Sequence, residues 1–157
     1  MKNSIGIVMN DSQKIKSIIA VDKTADSLLN VLKIDKTKAV DSFLIGKKVG
    51  LYNSKNSFEK ANSSRYEIAI AIAKYIIDVA KTTGNHSNQA TSFIEENLAL
   101  SILLPKKEVS DLYSSIVAKG VSKFAAYSII ARKYGVSSSI VQKRISLIML
   151  EEAKINV

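Results

Sequence analysis

A chain of 157 residues with 46% hydrophobic and 24% charged content is long enough to bury one core, and this balance excludes global disorder. The absence of cysteine excludes a disulfide framework and a thiolate metal site. The net charge of +9 lies on the flanks: residues 1–64 hold eleven bases and six acids, 65–105 three and four, and 106–157 nine and four. That distribution permits binding to DNA, RNA or an acidic protein, and it also fits a solvated lysine-rich surface. No apolar run approaches the roughly 20 residues needed to cross a bilayer. The first ten residues lack the apolar core of a signal peptide, so the expectation is a cytoplasmic protein without membrane contact.

In chain order, residues 4–9 form a short β-branched run that reads as a strand or an ordered lead-in. Asp11 or Ser12 can cap a helix carrying Ile15, Ile18 and Ile19, and Thr24 can cap a second one carrying Ala25, Leu28, Leu29 and Leu32. Ser42–Ile45 and Val49–Tyr52, joined by Gly46-Lys47-Lys48, read as a β-hairpin in which Gly46 supplies the positive φ of the turn. Asn62, Ser63 or Ser64 can then cap a helix from Arg65 to about Lys81, apolar at almost every position from Ile68 to Ile77.

After a loop at 82–88, residues 89–104 carry Phe93, Ile94, Asn97, Leu98, Ser101, Ile102 and Leu104 at helical spacing, and Pro105, the single proline, ends that helix. Three more helices are expected over Lys107–Ala118, Ser122–Tyr134 and Ser138–Lys154. Between the last two, Ala131, Gly135 and Val141 fall at helix-turn-helix spacing: a small residue, a glycine at the turn, and an apolar residue that packs the second helix. No linker separates these segments, so residues 1–157 read as one compact domain, with a core over 1–105 and a helical segment over 106–157.

The stretch Arg65–Asp78 resembles the active-site helix of the ImmA/IrrE metallopeptidases, with Arg65, Tyr66, Ile68, Ala69, Ile72, Tyr75, Ile76 and Ile77 on matching or similar residues. Asn97–Pro105 resembles the Met-Pro helix end of that family. Ala131, Tyr134, Val136, Ser137, Val141, Arg144 and Ile145 resemble its later helical segment. The resemblance covers about residues 24–150. It implies an α+β, predominantly helical fold: a zincin-like core with a small hairpin or sheet, followed by a helix-turn-helix-like segment.

Where the family has His, Glu and His, this chain has Ile70, Ala71 and Lys74. The family's third ligand, an acid, aligns near Ile94. Glu95 is one residue further on and so is turned about 100° around the helix. Zinc hydrolysis needs imidazoles one turn apart and a carboxylate base, and neither is present. The lone histidine, His86, cannot build a three-ligand site. The resemblance therefore implies a non-catalytic pseudo-peptidase with no metal and no cofactor, in which Glu95 could pair with Lys74 across the former cavity.

Binding remains. By the resemblance, the expected partner is a helix-turn-helix repressor of a phage or mobile element, held without being cut, as in antirepressor or lysogeny control. The alternative is direct DNA binding by the chain's own basic C-terminal segment. There a recognition helix would present Ser137, Ser138, Ser139, Gln142 and Lys143, the serines and Gln142 to base edges or phosphates, with Lys133 and Arg144 near phosphates.

Overall fold

Asn10 opens the first helix with a reciprocal cap. Its side chain accepts from the Gln13 N–H at 2.8 Å, and the Gln13 side chain accepts from the Asn10 N–H at 3.0 Å. A computed structural model of the chain describes residues 9–51, 64–81 and 90–155. From that cap α1 runs unbroken over Asp11–Val31 and buries Ile15, Ile18, Val21, Ala25 and Leu29 along one stripe. The second start expected at Thr24 is absent. Its hydroxyl instead donates to the Ala20 carbonyl at 3.0 Å, one turn back, which a threonine inside a helix commonly does.

The segment expected as the first strand of a hairpin is helical. Asp41 accepts from the Leu44 N–H at 3.0 Å and so caps α2, Ser42–Lys48. Gly46 lies inside this helix and is buried, and the positive φ falls at Gly50 instead (82°). The Ser42 hydroxyl donates to the Arg65 carbonyl at 3.1 Å, fixing α2 against the next helix. Tertiary contact with that helix and the Asp41 cap favour helix here over the strand suggested by Phe43, Leu44 and Ile45. No strand occurs among the described residues, and the fold is predominantly helical. Residues 4–8, Tyr52, the caps considered at Asn62 and Ser63, and the loop with His86 lie outside the described residues.

Ser64 and Glu67 form a second capping box: the Ser64 N–H donates to the Glu67 carboxylate at 2.6 Å and the Glu67 N–H to the Ser64 hydroxyl at 3.2 Å. This opens α3, Arg65–Lys81, which buries Ile68, Ala69, Ile72 and Ala73, while Ile70, Ile76 and Ile77 pack at the margin of the core. The helix α4, Ala90–Leu103, is the axis of the molecule. Every residue from Asn97 to Pro105 is buried, because α1 and α3 flank it on two sides. Each fully buried leucine or isoleucine here contributes about 1.5–3 kcal/mol.

Pro105 ends α4 as expected and stands at the head of α5, Lys106–Ala118, since a proline without N–H suits a helix start as well as a helix end. The remaining helices are α6, Lys123–Tyr134, and α7, Ser138–Ile155. One contiguous set of buried residues runs from Val21 to Ile148 and joins α5–α7 to the α1–α4 body. No described helix is long and apolar enough to cross a membrane.

Candidate nucleic-acid interface

The geometry of the α6–α7 corner follows from three residues. Gly135 takes the left-handed conformation (φ 67°, ψ 38°) that ends α6, and the Val136 N–H returns to the Ala131 carbonyl at 3.1 Å. The Ser137 hydroxyl then accepts from the Ile140 N–H at 3.4 Å and opens α7. Two helices joined by three residues and braced by α5 form this corner, with Ala131 in α6, Gly135 in the turn and Val141, buried, in α7. Ala131, Tyr134, Val141 and Ile145 are buried in the core cluster, which ties both helices to it.

The outer face of this corner carries Lys133, Ser137, Ser138, Ser139, Gln142 and Lys143, all exposed. Ser128 and Ser138 meet at 3.4 Å across the two helices, and Ser137 meets Ser139 at 2.9 Å. The charge of the surrounding chain is one-sided. Between Leu112 and Leu150 there are six lysines and arginines and no aspartate or glutamate. Five of the six, Lys119, Lys123, Arg132, Lys133 and Lys143, are exposed. The nearest carboxylate shown touching this face comes from α4: Glu96 pairs with Lys143 and also accepts from the Tyr66 hydroxyl at 3.2 Å. Burial, and then the Glu96 charge, push the Tyr66 phenol up to about 12. The Lys143–Glu96 pair is half exposed, and such pairs contribute only about 0–1 kcal/mol.

Arg144 must be removed from the interface. It is fully buried (0% exposed); its Nη2 pairs with Asp22 Oδ1 at 2.6 Å, and its Nε donates to the Leu104 carbonyl at 2.9 Å. Asp22 Oδ1 also accepts from the Ser101 hydroxyl at 2.7 Å. One carboxylate thus ties α1, α4 and α7 together, and Arg144 anchors the helix whose N-terminal turns face outward. Arg144 Nη1 and Asp22 Oδ2 are buried without a hydrogen-bond partner among the described residues, which makes the cluster sensitive to loss of either member. Beside it, a cleft of about 550 Å³ opens between α1, α5 and α7. Its wall charges are largely neutralised in pairs, Lys36 with Asp26 at 2.6 Å and Lys106 with Glu151 at 2.6 Å.

The positions matching the peptidase site share the α3–α4 side of the molecule without forming a polar site. Ile70 and Ile94 pack against the core, Ala71 and Glu95 are half-buried, and Lys74 is exposed. No ion pair between Lys74 and Glu95 occurs among the described residues, and no group of three or more metal-ligating side chains is found among them. Two features escaped sequence reasoning: the Asp22–Arg144 pair, 122 residues apart, and the contact of Arg65 with the α6–α7 turn. The acid-free stretch from 112 to 150 was visible in the sequence as a local count, finer than the net charge of the last third. No protein-family model, no curated protein and no solved structure matches the chain.

Proposed function

We propose that this chain is a DNA-binding regulator that lays the N-terminal turns of α7 in the major groove of duplex DNA. One observation supports the reading above the others: the α6–α7 corner exposes serines, Gln142, lysines and Arg132, within 39 residues that carry no acid. Ser138, Ser139 and Gln142 then meet base edges, where hydroxyl and amide groups both donate and accept. Lys133, Lys143 and Arg132 neutralise flanking phosphates. The chain on this reading acts by occupancy, without a catalytic step, as expected of a transcriptional regulator.

A second reading keeps the repressor partner implied by the peptidase resemblance. It is supported by the half-buried apolar Ile70, Ile76, Ile77 and Ile94 along α3 and α4, a side on which a partner helix could rest. Amide shift mapping separates the two readings. Addition of a duplex DNA pool should move resonances of residues 132–146. A map confined to α3 and α4, obtained only with a repressor protein and not with DNA, would reverse the order.

A further inference from the structure

We infer that Arg65, from the α3 end of the body, is a phosphate-binding residue of the same DNA interface; the inference rests on the DNA-binding reading above. Arg65 is the first residue of α3, and its backbone is held twice, by the Ser64–Glu67 capping box and by the Ser42 hydroxyl on its carbonyl. Its guanidinium crosses to the turn between α6 and α7. Nη1 donates to the Tyr134 carbonyl at 3.4 Å, and it lies 2.6 Å from the point where a Cβ on Gly135 would sit. Tyr134 is fixed from the other side, since its hydroxyl donates to the Lys36 carbonyl at 3.0 Å. The cation is thus placed over the turn by both ends of its contact.

Three features favour an anion in front of it. The residue is exposed. A guanidinium has five N–H donors in a planar fork, and the long bond to Tyr134 uses one. Ser138 is three residues from Gly135, at most about 11 Å along the chain, so Arg65 stands at the edge of the base-reading face, where a phosphate strand would pass. The fork offers two parallel bonds to one phosphate, a geometry that lysine lacks.

The test compares wild type with Arg65→Gln and Arg65→Ala on a fluorescent 30-base-pair duplex, with affinity measured from 50 to 200 mM salt. The glutamine variant keeps a donor for the Tyr134 carbonyl, so loss of charge is read apart from loss of packing. Both variants should show a slope of log K against log salt shallower by about 0.9, so that their affinity falls about 3.5-fold less than that of wild type over this range. A wild type that binds with a steep slope, alongside variants with the same slope and affinity, overturns the inference and leaves the DNA reading standing. A wild type with no salt-dependent binding overturns both.

Discussion

Replacing Arg144 with methionine keeps most of the aliphatic stem and removes the cation. Asp22 then keeps, among the described residues, only the Ser101 hydroxyl, with a side chain 10% exposed and one oxygen already without a partner there. Breaking a buried pair from one side costs about 3–5 kcal/mol, and the lower end applies because Asp22 retains Ser101 and slight solvent access. For a domain of this size, about 3 kcal/mol lowers the melting midpoint by roughly 6–12 °C. Asp22→Asn should cost a similar amount by stranding the guanidinium, whose remaining bond among the described residues is to the Leu104 carbonyl. The double variant Asp22→Leu/Arg144→Met should recover most of the loss, because an apolar pair of similar volume does not need to be neutralised. Urea unfolding with a double-mutant cycle measures the coupling. Single-variant losses below about 1 kcal/mol, or a double variant equal to the sum of the singles, would refute the view that this pair anchors α7.

Two further predictions concern the same corner of the fold. Burial, followed by the charges of Glu108 and Asp35, pushes the Tyr134 phenol up to about 12, and Tyr66 is raised as far. A raised phenol favours the folded state while it stays protonated. Its contribution is therefore whole below about pH 10, the unfolded value, and is lost as pH rises toward 12. Stability of wild type should fall over that window, and Tyr134→Phe should fall less steeply; equal alkaline slopes would contradict the assignment. Gly135→Ala combines a φ of 67° with a Cβ placed 2.6 Å from the Arg65 guanidinium. It should cost about 1–2 kcal/mol of backbone strain and release Arg65 from the turn, readable as a chemical-shift change at the Arg65 side chain.

How far the sequence speaks depends on the range of the interaction. The Gly135 turn was legible because only glycine takes a left-handed end without strain, and the apolar spacing on either side agreed with it. Pro105 was legible for an equally local reason. Gly46-Lys47-Lys48 misled because a glycine before two lysines looks like a turn tip. What opposes a turn there is an Asp41 cap and a bond from Ser42 to Arg65, 23 residues away. Thr24 can cap a helix or bond one turn back, and its sequence neighbours do not distinguish the two. Arg144 was misplaced on the surface because its partner stands 122 residues earlier, and no spacing rule connects an arginine to an aspartate at that distance. Of the residues expected at an interface, the serines, Gln142, Lys133 and Lys143 are exposed, whereas Arg144 is buried and ties α7 to α1.

The central claim is that the exposed face of the α6–α7 corner meets DNA phosphates, and the salt dependence of duplex binding tests it most directly. Wild type should bind with a slope steeper than about −3, and Lys133→Ala/Lys143→Ala should be shallower by about two, since each lost phosphate contact removes about 0.9. A wild type that does not bind duplex DNA at 50 mM salt, or a double variant with an unchanged slope, would contradict the account.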